Sequence, residues 1–143
     1  MKIREAKKAD APNIGAVGIC VWVDTYATEG VYEDIARFIH SEFTEEKIKE
    51  LIEQKTVFVA TQEENILGYI VLDKAIDSKF EIVNLYILPK FQKQGIGKRL
   101  IQTVCELVDK PIWLSTWELN HNAIAFYQRL GFKEVGELYF DLY

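Results

Sequence analysis

The sequence predicts an α/β fold, more broadly α+β, in which one sheet carries helices on its faces. Apolar residues recur every three or four positions before residue 55, again from residue 96 and again from residue 121, as in amphipathic helices. Residues 56–88 are instead rich in β-branched and aromatic side chains, which favour strands. No repeat, linker or low-complexity tract divides the chain. We therefore expect a single domain over residues 1–143.

The N-terminal part predicts one strand and two helical regions. "KIREA" alternates around Ile3 as a strand does, and Asp10 is a candidate N-cap for a helix that runs to about Trp22. A second helical region is expected from about Val31 to Gln54, interrupted near residues 40–41, with Thr44 as an internal cap. These elements should precede the sheet.

The remaining elements alternate between strands and helices. "TVFVATQ" and "ILGYIVLDKA" read as a hairpin around "EEN", and "KFEIVNLYIL" is a third strand that Pro89 ends. A helix begins near Gly95, "IWLSTW" is the next strand, Asn120 caps a helix that ends at Gly131, and "FKEVGELYFDLY" is strand-like. The predicted order is β-α-α-β-β-β-α-β-α-β.

Composition narrows the classes of function. The chain has 143 residues, 49% of them hydrophobic, and a net charge of −5, which disfavours general affinity for nucleic acid or anionic membrane. Cys20 and Cys105 form no CxxC pair, so we expect reduced, buried thiols and no metal site. Neither an apolar signal core nor a long apolar run is present, which predicts a cytoplasmic protein.

The stretch "PKFQKQGIGKRLI" concentrates glycine and positive charge between a strand and a helix. Unpaired N–H groups at a helix start bind anions, and Gly95 and Gly97 would let a phosphate approach the backbone. The alternative is a turn glycine, a packing glycine and a solvated basic face. Leu100 stands where the dinucleotide fingerprint has its third glycine, so NAD is not favoured. The cations are Lys90, Lys93, Lys98 and Arg99.

Two motifs resemble those of the GNAT superfamily of N-acetyltransferases. "QKQGIG" resembles its Q/R-x-x-G-x-G/A acyl-CoA loop, and "NHNAIAFYQRLGF" resembles the N-x-x-A-x-x-hydrophobic-Y-x-x-x-G-F helix that follows it. The resemblance implies the GNAT fold, with a mixed and mostly antiparallel central sheet flanked by helices. It also implies acetyl-CoA as cosubstrate and no metal.

The resemblance further implies site residues. Asn120 would bind the cosubstrate near its thiol, and the Tyr127 hydroxyl would face the sulfur; a plain helix cap and a packed aromatic are the compatible structural alternatives. Backbone groups would contact the pantetheine at Leu85, Tyr86 and Ile87, and would wrap the pyrophosphate at Gln92, Lys93, Gln94, Gly95, Ile96, Gly97 and Lys98.

Acetyl transfer needs a neutral amine. An alkylamine of pKa near 10.4 is neutral about once in 2,500 at pH 7, a cost of roughly 4.6 kcal/mol, so a base is useful. Glu81 matches the place of a strand-borne base in some superfamily members, or is an exposed carboxylate at a strand start; Glu118 is a second candidate. A backbone N–H near Ile87 could stabilise the oxyanion, and Tyr127 could protonate the thiolate. Neither cysteine has a neighbouring His in sequence, so direct transfer in a ternary complex is preferred.

Residues 24–50 carry eight acids and three bases, which suits a cationic acceptor beside Trp22, Tyr26 and Glu118, unless they form an ordinary solvated face. "WVDTY" and "WLSTWELNHNAIAFYQRLGF" are similar to PaiA-like polyamine N-acetyltransferases. We therefore expect acetylation of a polyamine or other small cationic amine. The alternatives are protein N-terminal or lysine acetylation, or a non-catalytic CoA-binding regulatory domain. Few residues follow Phe132, so a short hairpin, a truncation or strand exchange in a homodimer stays open.

Overall fold

A computed structural model describes residues 1–74, 79–108, 111–116, 119–136 and 139–142. In these ranges, seven strands and five α-helices form in the order β1-α1-α2-α3-β2-β3-β4-α4-β5-α5-β6-β7. The strands are β1 Lys2–Glu5, β2 Thr56–Gln62, β3 Asn65–Lys74, β4 Phe80–Ile87, β5 Ile112–Ser115, β6 Lys133–Gly136 and β7 Tyr139–Leu142. The helices are α1 Ala11–Tyr26, α2 Glu33–Glu42, α3 Glu45–Gln54, α4 Ile96–Leu107 and α5 His121–Arg129.

All seven strands belong to one sheet of order β1-β2-β3-β4-β5-β7-β6. Every neighbouring pair is antiparallel except β4 and β5, which are parallel. The helix α4 connects these two parallel strands, as a crossover must. The prediction of a mixed, mostly antiparallel sheet is thereby confirmed.

Helices cover both faces of the sheet and bury two hydrophobic clusters. One face packs against α4 and α5, with Leu100 and Val104 fully buried beside strand residues such as Ile70 and Leu114. The other face packs against α1 and α3, where Ile14 and Ile48 meet the inner side of β2 and β3. Because β3 is covered on both sides, seven consecutive positions of it are apolar or glycine, as expected of a central strand.

The helices differ from the prediction at their ends. The first helix continues to Tyr26, one turn beyond the expected Trp22. The second helical region does break, but at Phe43, after which Thr44 accepts a hydrogen bond from the Lys47 N–H at 3.2 Å and starts α3 as predicted. Cys20, expected to be buried, is exposed on α1.

Asp10 is the N-cap residue of α1, as the sequence suggested, but its side chain makes no capping hydrogen bond to the helix. Its backbone is already helical, and its carboxylate points back to β1, where it accepts two hydrogen bonds from Arg4 at 2.8 and 2.9 Å. It also accepts the Lys7 N–H at 2.7 Å. These bonds fasten β1 to the start of α1. The caps predicted on α5 are confirmed, since Asn120 accepts the Ala123 N–H at 3.3 Å and Gly131 has a φ of 100°.

The predicted single final strand is two strands. The chain turns after β6, and β7 inserts between β5 and β6, pairing antiparallel with both. The antiparallel pairing of β6 with β7 agrees with the expected short hairpin. Hydrogen bonds from β7 complete the side of β5 that faces away from β4.

We expect Asp10→Asn to lower the free energy of unfolding by about 1–2 kcal/mol at pH 7, because a partly buried bidentate ion pair is lost. Hydrogen bonds from Arg4, the largest cause, lower the pKa of the folded-state Asp10 carboxyl. A carboxyl with a lowered pKa stabilises the fold above its unfolded pKa and ceases to do so as the pH falls through the folded value. The difference between the variant and the wild type should therefore shrink below about pH 4.

The control for this prediction is Glu33→Gln, which removes an exposed ion pair with Arg37 and should cost about 0.5 kcal/mol or less. Denaturant unfolding at pH 7 and at pH 3 measures both variants. Equal losses in the two variants, or a difference for Asp10→Asn that does not change with pH, would contradict the assignment.

Candidate active site

The parallel strands β4 and β5 separate soon after they meet. They pair only at Phe80 with Ile112 and at Glu81 with Trp113, although β4 continues to Ile87 and β5 to Ser115. Residues 82–87 of β4 therefore have no ladder partner on that side among the residues that the structure describes. A gap opens in the middle of the sheet.

The ladder between β3 and β4 decides which backbone groups face this gap. Leu88 donates its N–H to the Leu67 carbonyl at 2.9 Å, so these two residues form a hydrogen-bonded pair. Hydrogen-bonded and non-hydrogen-bonded pairs alternate in an antiparallel ladder, so Tyr86 bonds to its partner in β3. Leu85 and Ile87 then direct their N–H and C=O groups into the gap. The Ile87 carbonyl accepts the Gln92 side-chain amide at 3.1 Å, which agrees with this orientation.

This register corrects one expectation. Leu85 and Ile87 present backbone groups to the gap, but Tyr86 does not, because its backbone groups are used by β3, so the predicted contact of all three with the pantetheine is narrowed to Leu85 and Ile87. The side chain of Tyr86 instead packs on the α1 side of the sheet, against Tyr69 and Phe43, with ring centroids 5.5 and 6.4 Å apart. Alternation along the strand could not distinguish the two roles without the cross-strand partner.

The loop after β4 ends in a helix start that carries free N–H groups. Gly95 is the residue before α4, with a φ of 84° that other residues rarely adopt, and an added Cβ there would meet no atom within 4 Å. The backbone N–H groups of residues 93–98 donate to no described residue. Six adjacent donors at the positive end of a helix dipole fit a diphosphate, and the open space at Gly95 lets it approach.

The two glycines have the structural roles that the sequence analysis gave as the alternative. Gly95 provides the left-handed turn, whereas Gly97 permits close packing, since a Cβ there would lie 3.0 Å from the Phe126 ring of α5. The four cations of the loop are exposed or partly exposed, and none of them has a described carboxylate within 4.0 Å. Their charge is thus available to a polyanion. These cations are Lys90, Lys93, Lys98 and Arg99.

Tyr127 is buried on the α4–α5 side of the sheet. Its ring lies edge-to-face with Phe126 and Phe132, at centroid distances of 5.4 and 5.6 Å. Burial raises the pKa of Tyr127 strongly, and the phenols of Tyr86 and Tyr26 raise it further. A neutral phenol at that position can donate a proton and does not persist as a phenolate.

Of the predicted acid–base residues, Glu81 lies apart from the phenols. It pairs across the ladder with Asp73, which also contacts Lys55 at 3.4 Å. Partial burial raises the pKa of the Glu81 carboxyl, and the charge of Asp73 adds to this effect. Glu81 and Leu85 are four residues apart, about 13 Å along a strand. Glu118 lies outside the described residues.

A cavity of about 310 Å³ borders the gap on the side of α1, α2 and α3. Aromatic rings of Trp22, Phe38, Phe43 and Tyr86 line it, together with Asn84 and the charged residues Glu42, Lys47, Glu50 and Lys55. Tyr26, predicted beside the acceptor, has its ring next to that of Trp22, with centroids 4.3 Å apart. A wider depression on the outer face of α2 shares none of these residues.

Sequence reasoning missed two residues of this cavity, Asn84 and Tyr69. Asn84 donates its side-chain amide to the Tyr86 hydroxyl at 3.2 Å. Tyr69 is fully buried at the cavity wall, and its hydroxyl has no hydrogen-bond partner among the described residues. A polar residue inside the apolar run "EIVNLYIL" was the available signal for Asn84. Nothing in the pattern of β3 singled out Tyr69.

The described parts of the chain contain neither an activated cysteine nucleophile nor a metal-binding cluster outside this site. Burial raises the pKa of the Cys105 thiol, and Glu106 raises it further, which makes Cys105 a poor nucleophile. No cluster of three metal-ligating side chains occurs among the residues the structure describes. None of the described helices is long and apolar enough to cross a membrane.

A sheet that opens between two parallel strands, beside a glycine-rich helix start, defines the class of acyl-CoA N-acyltransferases. The chain matches the Acetyltransferase (GNAT) domain over residues 53–134, and it belongs to this family. It is an acetyl-CoA-dependent N-acetyltransferase of the GNAT type with the GNAT fold.

Individual relatives span most of the chain at low identity. An uncharacterized N-acetyltransferase in the pepI 3' region of Lactobacillus delbrueckii subsp. lactis is 28% identical, with 99% of this chain and 90% of that protein covered. The crystal structure of the PaiA N-acetyltransferase from Thermoplasma acidophilum in complex with coenzyme A has a TM-score of 0.86, 24% identity and coverages of 98% and 95%. The ribosomal protein bS18 alanine N-acetyltransferase of Escherichia coli is 28% identical over 54% of each chain.

We expect Gly68→Ala to reduce the free energy of unfolding by about 1–3 kcal/mol. Gly68 pairs with Ile87, and an added Cβ would lie 2.6 Å from Ile87 Cδ1 and 2.7 Å from the Tyr86 carbonyl oxygen. The two strands would have to separate at the edge of the gap. Thermal and denaturant unfolding measure the loss.

The double variant Gly68→Ala with Ile87→Val tests the cause. It removes the methyl contact and leaves the backbone contact, so we expect it to recover part of the stability but not all of it. Full recovery would show that the contact with the carbonyl oxygen is unimportant, and no loss in the single variant would contradict the close approach.

Proposed function

We propose that the protein transfers the acetyl group of acetyl-CoA directly to a primary amine of a polyamine or another small cationic amine. The observation that carries the proposal is the gap beyond Glu81, where backbone groups of Leu85 and Ile87 have no described strand partner and lie between the α4 helix start and the cavity. A thioester held in that gap would have its acyl group beside the cavity.

The residues of the gap and the loop suit the parts of coenzyme A. The N–H groups of residues 93–98 and the neighbouring cations would hold the diphosphate. Backbone groups of Leu85 and Ile87 would bond to the amides of the pantetheine in the manner of an added strand. Asn120 is already used as the cap of α5, with its Oδ1 accepting the Ala123 N–H, so its amide N–H₂ is the part left for the cosubstrate.

Two charges must be managed during the transfer. The N–H of Ile87 would stabilise the negative charge that develops on the thioester oxygen. As the C–N bond forms and the C–S bond breaks, the nitrogen loses one proton and the sulfur gains one. Tyr127 would donate that proton to the sulfur, and because its pKa is raised it must be reprotonated promptly, by the proton that the nitrogen releases.

The cavity suits a small amine with aliphatic character. Aromatic walls at Trp22, Phe38 and Phe43 can hold methylene groups and attract a cation, and Glu42 and Glu50 can pair with a second ammonium group. Glu81 faces the same side of the sheet as Val83, which lines the cavity, and remains a candidate base that would act through water. The volume of about 310 Å³ is at the small end of ligand cavities.

Acetylation of a protein N-terminus is the second candidate. The observation that favours it is the resemblance to the alanine N-acetyltransferase of Escherichia coli, whose match includes 54% of this chain. An α-amino group has a pKa near 7.8, so its deprotonation costs about 1 kcal/mol at pH 7 and needs less assistance from a base. A lysine side chain of a protein, or coenzyme A binding without transfer, are further outcomes of the same experiment.

The test is a panel of acceptors assayed with acetyl-CoA, in which thiol release and the mass of the product are both measured. We expect spermidine, spermine and diamines to give the highest kcat/KM, above monoamines of equal length and above peptides with a free N-terminus or a lysine. Preference for a peptide would replace the small-amine proposal. Thermal stabilisation by coenzyme A without thiol release from any amine would instead indicate a binding domain.

Tyr127→Phe should reduce kcat by about 100-fold or more, while the Kd for coenzyme A changes by less than about threefold, because the hydroxyl acts on the leaving sulfur. Rapid-mixing kinetics and calorimetry measure the two quantities. The matched control is Tyr32→Phe, which removes a hydroxyl from an exposed tyrosine just before α2 and should change neither. A kcat within twofold of the wild type would remove Tyr127 from the acid role.

A further inference from the structure

A β-bulge in β4 directs Asn84 into the cavity. Val71 pairs with Asn84 and Leu72 pairs with Ile82, so Val83 is an extra residue with no partner of its own. Ile82 packs on the α4–α5 side, and simple alternation would send residues 84 and 86 there as well. Because of the extra residue, Leu85 and Ile87 take that side, and the side chains of 84 and 86 face the cavity.

The bulge thus creates a polar corner in a mostly aromatic wall. Asn84 Nδ2 donates to the Tyr86 hydroxyl oxygen at 3.2 Å, which leaves the Asn84 Oδ1 as an acceptor and the Tyr86 proton as a donor. Tyr69 packs beside this corner, with its ring edge-to-face to Tyr86 at 5.5 Å, while its buried hydroxyl lies next to Gly18 and has no described partner.

We propose that Asn84 binds the acceptor nitrogen, with its Oδ1 accepting an N–H of the reacting amine while its Nδ2 holds the Tyr86 phenol in place. This inference rests on the proposed function and names the atom of the cavity that receives the amine. The corner lies on the residues of β4 that border the gap, so an amine held there is next to the thioester. Glu42 and Glu50 belong to α2 and α3 and would meet the other end of a diamine.

The neutrality of this corner has a chemical consequence. A carboxylate would stabilise the ammonium form of the acceptor, whereas a carboxamide accepts the same N–H without that charge and so favours the reactive neutral amine. Desolvation between aromatic rings acts in the same direction. The titratable side chains facing the cavity are Tyr69, Tyr86, Glu42, Lys47, Glu50 and Lys55, the last paired with Asp73 beside Glu81.

The test uses Asn84→Ala and Asn84→Asp with the amine that the wild type acetylates fastest, whichever class that amine belongs to. We expect Asn84→Ala to lower kcat/KM for the amine by about 10-fold or more, with the Kd for coenzyme A within twofold. Asn84→Asp should move the acidic limb of the pH profile of kcat upward by about one pH unit, because its carboxylate favours the ammonium form of the bound amine. A purely structural role would not move that limb.

The control variant is Asn65→Ala, which alters an exposed asparagine at the start of β3 and should leave all three quantities unchanged. The inference is overturned if Asn84→Ala keeps kcat/KM within twofold, if its loss merely follows a loss of coenzyme A affinity, or if the limb for Asn84→Asp does not move. A wild type that prefers peptides refutes the small-amine proposal alone, because Asn84 is then tested on the peptide.

If the wild type acetylates no amine, binding still decides the role of Asn84. The side-chain amide signals of Asn84 in a ¹H–¹⁵N spectrum are identified by their absence in Asn84→Asp. Titration of the protein saturated with coenzyme A by butylamine or spermidine should shift these signals more than those of Asn65. Signals that stay unmoved at saturating amine would overturn the inference.

Discussion

The function of this protein depends on hydrogen bonds that two adjacent strands do not make. In a closed sheet the N–H and C=O groups of β4 would all be used by neighbouring strands, and leaving such groups unpaired is costly. Here β4 and β5 part after Glu81, while β3 holds the other edge of β4 and β7 holds the other edge of β5. The sheet can therefore stay intact on both sides of an opening whose edge offers donors and acceptors to an extended thioester.

Electrostatics divides the site into two halves. The α4 side has free N–H groups and four unpaired cations in a chain whose net charge is −5, so a polyanion is drawn to one place on an otherwise acidic protein. The α1 side has aromatic rings, carboxylates and phenols. Burial, followed by the nearby phenol of Tyr26, raises the pKa of Tyr86 to about 12, and Tyr127 is shifted in the same direction. Tyr86 and Tyr127, as neutral phenols between the α4 side and the α1 side of the site, can transfer protons without remaining charged.

Rigid elements determine how well this arrangement is held. Gly68 brings β3 close to Ile87, Gly18 leaves space for Phe43 and the Tyr69 hydroxyl, and Gly97 lets α5 approach α4. In each case a side chain would separate two elements that border the gap or the cavity. The bidentate pair of Arg4 and Asp10 fixes the start of α1, whose inner face bounds the acceptor side. Packing glycines and one partly buried ion pair thus serve the geometry of the site.

Local chemistry in the sequence was sufficient for the helix start at Gly95, the caps at Thr44 and Asn120, the strands of the central hairpin and the class of enzyme, because each depends on residues near one another in the chain. Cross-strand register was decided only by the tertiary structure. The register directs the backbone groups of Leu85 and Ile87, and not those of Tyr86, into the gap. A bulge in the same ladder turns the side chain of Asn84 toward the cavity, and the strand order places β7 between β5 and β6. Register depends on partners distant in the chain, and a shift of one residue reverses every side chain of a strand. No local pattern contains that information.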